Sequence, residues 1–243
     1  MQVGGQPESK FQTEEKMSHN SFFAKALRFI GNVFMALTAG FTLLGGAGTS
    51  CAALFPTKWD TMAPLASFQW LYILFVLTGV AIGIAGIRAT VLLVRGTPTA
   101  YRDTIYSLVA GVVVGVIHIL VSRALRGKSM PVDAVVYTTV LTLVIFLLFR
   151  IPAIWQGVDY SRGKPAGPLA GGTAAMVVGI FTLVIQFMMA PTHTWNGINY
   201  GDAFHLSLSV VGSVLVVGGL FLAWAPSKAT WLAARQPGHD LAQ

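Results

Sequence analysis

Long apolar runs recur along this chain, each wide enough to cross a bilayer, and that recurrence restricts the fold more than any motif does. Six stand out, at about 27–48, 68–92, 104–125, 133–154, 169–190 and 203–225. A hydrocarbon core of about 30 Å takes roughly 20 helical residues to cross. The runs lack the two-residue alternation of barrel strands and are too long to be such strands, so they read as helices. Composition agrees: only 10% of the 243 residues are charged and 54% are hydrophobic, whereas a soluble domain carries about 25% charged residues. So little charge cannot cover a water-soluble globule. The expected fold is an all-α integral membrane protein, a six-transmembrane-helix bundle with short links.

Lys and Arg set the orientation. With the N-terminus inside, Lys10, Lys16, Lys25, Arg28, Arg88, Arg95, Arg102, Arg150, Arg162, Lys164, Lys228 and Arg235 all fall on the cytoplasmic side, 12 of the 16 basic residues. Retention of positive charge then places both termini in the cytoplasm. The third link, with Arg123, Arg126 and Lys128, is the exception. Tryptophans support the same orientation, Trp70 and Trp195 marking outer ends and Trp155 and Trp224 inner ones. The chain divides into a polar, flexible tail (1–24), a membrane domain (25–226) and a cytoplasmic C-terminal tail (227–243), whose Trp231 and Leu232 suit the interface. Residues 1–24 lack the basic start and immediate apolar core of a cleaved signal. The first run therefore reads as an uncleaved anchor, in a bacterial inner (plasma) membrane. The net charge of +7 follows from this topology. Juxtamembrane cations face lipid headgroups, and no basic run interleaved with aromatics marks a nucleic-acid partner.

Small residues sit at helical spacing. Gly79 and Gly83 form a Gly-x-x-x-Gly pair in the second run, Gly111 and Gly115 another in the third. Such pairs clear one stripe so that helix backbones approach closely, within the bundle or against another membrane subunit.

Three stretches invite a chemical reading. LLGGAGTSCAALFP, Leu43 to Pro56, contains Gly48-Thr49-Ser50, but a nucleophile elbow needs a strand before the Ser and a Gly where Cys51 stands. His205 could act as base in an intramembrane hydrolase, yet nothing in the sequence brings it to Ser50. Gly48 occupies the position where a lipoprotein needs an aliphatic residue. The glycines are expected to end the first helix, and Cys51 to be a small buried hydrophobe rather than a disulfide or free thiol. RALRGKSMP, Arg123 to Pro131, resembles the end of a phosphate loop, but Ser122 stands where the first Gly is required. It reads as an exposed basic turn, with Pro131 helping to start the fourth helix.

The histidines are the third. His118 lies inside the third run, His205 opens the sixth, and His193 lies in the link between the fifth and sixth. Cys51, Asp133 and Asp202 fall on the same side. Paired helical histidines ligate membrane haem b, so His118 and His205 are the candidates for haem or quinone contact. The simpler expectation is a structural His118, hydrogen-bonded to a carbonyl or hydroxyl of a neighbouring helix, with no cofactor and no metal.

Carboxylates are absent from the middle of every run, which disfavours proton-coupled pumping. Asn32, Thr38, Thr42, Thr138, Thr139, Thr142, Gln186, Ser207 and Ser213 are expected to bond backbone carbonyls or link helices. Arg88, the most interior cation, can reach the inner interface along its own stem. These features point to a non-enzymatic accessory or scaffold subunit, its partners being the lipid bilayer and other membrane subunits. The alternatives are a small-solute channel or carrier, and a haem- or quinone-binding redox subunit.

Overall fold

The computed structural model describes residues 18–58, 60–129, 131–162, 168–189, 194–195 and 197–224. They form helices α1 (Phe22–Leu54), α2 (Gln69–Arg95), α3 (Ala100–Arg126), α4 (Val132–Phe149), α5 (Pro152–Val158), α6 (Pro168–Met189), α7 (Tyr200–Ala203) and α8 (His205–Trp224). Two short strands, β1 (Thr194–Trp195) and β2 (Ile198–Asn199), pair antiparallel between α6 and α7. Five stretches are long and apolar enough to cross a membrane: α1, α2 with the 3₁₀ turn before it, α3, α4 and α8. The run at 169–190 forms α6, whose apolar stretch Gly171–Phe187 is shorter than the other five. The tail at 1–17, His193, Trp231 and Leu232 lie outside the described residues.

Helices α1 to α4 close a four-membered ring: α1 packs on α2, α2 on α3, α3 on α4, and α4 returns to α1. Helix α6 packs on α1 and pairs along its length with α8, so a two-helix hairpin leans on a four-helix bundle. The end where α1 begins and α4 finishes is called basal, the other distal. Met35, Leu93, Leu108, Phe146, Phe149 and Tyr160 belong to a buried cluster in the basal half, while Ala53, Leu65, Tyr72 and Phe75 form one at the distal end. The outer face is apolar, with Leu77 and Leu120 each 63% exposed and Phe221 73%. In water such a surface would aggregate; in lipid it is the natural exterior.

Helix boundaries differ from the sequence reading in four places, each for a local reason. Helix α1 starts at Phe22, inside the expected tail, because the Ser21 hydroxyl caps it by accepting from the Ala24 N–H at 3.1 Å. It does not end at its glycines but runs to Leu54, just before Pro56. Gly46 is needed inside the helix: a Cβ there would lie 2.8 Å from the Gly79 backbone of α2. Cys51 is correspondingly exposed on the last turns of α1, not buried. The expected fourth span breaks after Phe149, because Pro152 opens α5 and holds Ile151 extended (φ −57°, ψ 128°). The sixth run, expected from 203, opens on the last residue of α7, a separate single turn before α8.

The glycine stripes face inward. Gly79 meets Gly46, Gly83 lies where an added Cβ would come within 2.7 Å of the Leu43 backbone, and Gly86 faces Ala39, so α1 and α2 touch backbone to backbone. Gly111 and Gly115 leave room for Thr139 and Val136 of α4. A further stripe joins α6 to α8: Gly172 faces Gly219 and Gly179 faces Gly212, seven residues apart on each helix. Backbones this close allow Cα–H···O contacts as well as dispersion.

Candidate functional site

His118 projects from α3 into the distal cluster. Its imidazole stacks on Phe75 of α2, centroids 4.2 Å apart at 14°, and meets Tyr72 edge-on at 5.4 Å. The Tyr72 hydroxyl bonds Ser122 at 2.8 Å, so the polar link between α2 and α3 runs beside the imidazole rather than through it. Where a hydrogen bond was expected for His118, the contacts among the described residues are these aromatic ones. His205 lies at the start of α8, where Nδ1 is 2.9 Å from Oε1 of Gln186 on α6. Gln186 also donates from Nε2 to the Leu183 carbonyl, which fixes Oε1 as acceptor and puts the proton on Nδ1. Gln186 and His205 lie seven residues beyond Gly179 and before Gly212, so this bond continues the α6–α8 glycine ladder. The two histidines belong to different helix groups and share no contact. The hydrogen bond of His205 goes to Gln186, not to Ser50.

The charged side chains gather at helix ends. Asp103 and Asp133 occupy the first turns of α3 and α4, where the helix dipole favours a negative charge. Arg88 reaches from α2 to Asp103 at 3.6 Å, and Arg162 pairs with Asp159 at 3.0 Å. Arg123 donates to Asp133 at 2.9 Å and to the Ser129 hydroxyl at 2.9 Å, while Ser129 donates to the other carboxylate oxygen at 2.6 Å. The stretch Arg123 to Pro131 is therefore not simply an exposed basic turn: Arg123 folds back and closes the α3–α4 link. Among the described residues no three His, Cys, Asp or Glu side chains gather as metal ligands.

Inside the ring, hydroxyls join helices or return to their own backbone. Thr38 of α1 meets Thr142 of α4 at 2.7 Å, and Thr142 donates to the Thr138 carbonyl at 2.9 Å. Thr139 likewise bonds the Val135 carbonyl at 2.7 Å. Two groups depart from this pattern. Asn32 and Thr104 are fully buried, and among the described residues neither the Asn32 amide nor the Thr104 hydroxyl has a hydrogen-bond partner.

The basal end holds the most elaborate constellation. Arg28 of α1 donates to the Gly157 carbonyl at the C-terminus of α5 (2.6 Å) and to the His19 carbonyl (3.1 Å), with both His19 ring nitrogens 3.0 Å away. Tyr160 donates back to the Arg28 carbonyl at 3.2 Å. Burial, with the Arg28 charge beside it, holds the His19 imidazole below its ordinary pKa, and burial drives the Tyr160 phenol well above its own. Beside this latch opens a cleft of about 400 Å³, lined among others by Tyr101, Arg102, Arg150, Trp155, Asp159 and Tyr160. Sequence reading missed it, taking Trp155 as an interface marker and Arg150 only as a topology charge. The available signal was the pair itself, an arginine and an indole on either side of Pro152.

Compared with protein-family models, curated proteins and solved structures, the chain matches none.

Proposed function

We propose that this protein is a non-catalytic accessory or scaffold subunit of a membrane assembly, crossing the bilayer six times with both termini cytoplasmic. One observation carries the reading: polar side chains and small residues of the apolar helices tie helix to helix. Thr38–Thr142, Tyr72–Ser122 and Gln186–His205 are examples, and the glycine stripes face neighbouring helices. The result is a closely packed body with an apolar exterior, suited to holding other membrane chains in place. Its α8 offers an unshared apolar face, with Val214, Val217 and Phe221 all more than half exposed. A sixth crossing is supported by the ladder from Gly172–Gly219 to Gln186–His205, which matches α6 in depth to a helix of spanning length.

Native mass spectrometry of the protein extracted gently from its own membranes tests this reading. A second protein in fixed stoichiometry is the expected result. The bare chain alone would contradict it.

A second reading, a path for a small neutral solute, is favoured by Asn32 and Thr104, whose unpartnered polar atoms sit inside the ring. It requires that proteoliposomes carrying the protein pass glycerol or urea faster than empty ones, and that Asn32→Leu abolish the difference. Haem or quinone at His118 and His205 has less support, because the two side chains lie in separate helix groups with their own neighbours.

A further inference from the structure

We infer that the basal cleft around Arg150 is a binding site for a phosphate-bearing anion, which at bilayer depth is an anionic phospholipid headgroup. Arg150 follows the last residue of α4, at the boundary between an 18-residue apolar helix and the polar basal surface. Its guanidinium carbon stands 4.6 Å from the Trp155 ring centroid and 5.7 Å from that of Tyr101, so two aromatic faces hold it in position.

Those aromatics are themselves fixed. Tyr101 donates its hydroxyl to the Phe146 carbonyl at 2.9 Å, and its ring meets Trp155 edge-on at 4.8 Å. Of the neighbouring arginines, Arg102 shares Asp103 with Arg88, and Arg162, outside the lining, pairs with Asp159. Arg150 alone among the cleft's arginines meets no carboxylate among the described residues.

A positive charge held by aromatic walls, with its hydrogen-bonding edge unanswered, is complementary to a phosphate. The planar fork of a guanidinium matches two phosphate oxygens where an ammonium offers only a point charge. Indole and phenol rings favour the headgroup level, and Ile105 and Tyr106 on α3 continue the cleft as an apolar wall for the glycerol and upper acyl chain. About 400 Å³ falls within the range of small-molecule sites, roughly 300–1,000 Å³. A soluble phosphate ester would answer the same charge, so the lipid and soluble sources have to be separated by experiment.

The test is lipid retention by the full chain in detergent. The protein is stripped of lipid, titrated with phosphatidylglycerol or phosphatidylcholine, and the bound lipid counted by native mass spectrometry. We expect one phosphatidylglycerol to bind at least tenfold more tightly than phosphatidylcholine. Arg150→Gln should abolish that preference, Arg150→Lys restore part of it, and Lys25→Gln, which removes an exposed charge of α1 outside the cleft lining, leave it nearly unchanged. Thermal midpoints of all variants separate loss of binding from loss of fold. If Arg150→Gln unfolds, equal retention of the two lipids by the parent chain and by Arg150→Lys overturns the proposal. Equal retention by the parent chain and a folded Arg150→Gln overturns it too. Glycerophosphoglycerol competing as effectively as the whole lipid would support the anion site while overturning its lipid source.

Discussion

Asn32 is the residue at which packing and chemistry disagree most. Its primary amide, on α1, is fully buried and has no hydrogen-bond partner among the described residues. Leaving a buried polar group unpaired costs about 1–3 kcal/mol. As part of a scaffold, Asn32→Leu should raise the thermal midpoint or leave it unchanged, and a clear drop would show that the amide holds something. His19 makes a second prediction at this scale. One ring nitrogen can accept from Arg28, and only while the imidazole is neutral, and the folded pKa lies below the ordinary 6.5. Folding therefore favours the deprotonated ring, and the stabilisation is present above pH 6.5 and lost as pH falls below it. Between pH 7 and 5 the native chain should lose more thermal stability than His19→Gln, and parallel curves would contradict the latch. Single residues were the least legible scale. His118 and His205 were found by type, but their neighbours Phe75 and Gln186 depend on helix rotation, which the runs do not encode. Arg150 was visible only as a charge, because its aromatic partners lie on other helices.

At the scale of elements, small residues decide how closely the helices approach. Gly83→Val should separate α1 from α2 and cost about 1–3 kcal/mol, since the new side chain would meet the Leu43 backbone. Gly48→Ala is the matched control: nothing lies within 4 Å of its added methyl, and removing a helix-interior glycine should gain roughly 0.5–1 kcal/mol. Reversible unfolding in mixed micelles measures both, and equal effects would remove the packing role assigned to the stripe. The Gly-x-x-x-Gly pairs of α2 and α3 were legible because four-residue spacing places both on one helix face. The seven-residue ladder of α6 and α8 was not, since it becomes a pattern only once the two helices are set antiparallel. The α1 glycines misled for a related reason: glycine both ends helices and admits a neighbour, and here Gly79 across from Gly46 selects the second use. Pro152 announced the break after α4, but the apolar run continuing through Ile151 concealed it.

For the whole molecule, the recurrence of long apolar runs carries the all-helical architecture, five of the six runs giving helices long and apolar enough to cross a membrane. A chain so poor in charge has few alternatives to a helical bundle in lipid. The α3–α4 link, the exception in the charge pattern, is softened by the Arg123–Asp133 pair, which lowers its net positive charge. In the proposed topology α1 leaves the cytoplasm and a sixth crossing returns the C-terminus to it. Cys51, the sole cysteine, is exposed near the distal end of α1 and so reports its side directly. The decisive measurement is labelling of intact cells with a membrane-impermeant maleimide, on the native chain and on a Cys51→Ser variant carrying Ala242→Cys. Labelling of Cys51 from outside, with the C-terminal cysteine reached only after permeabilisation, is the predicted result. External labelling of the C-terminal cysteine, or protection of Cys51 until the membrane is opened, would contradict it.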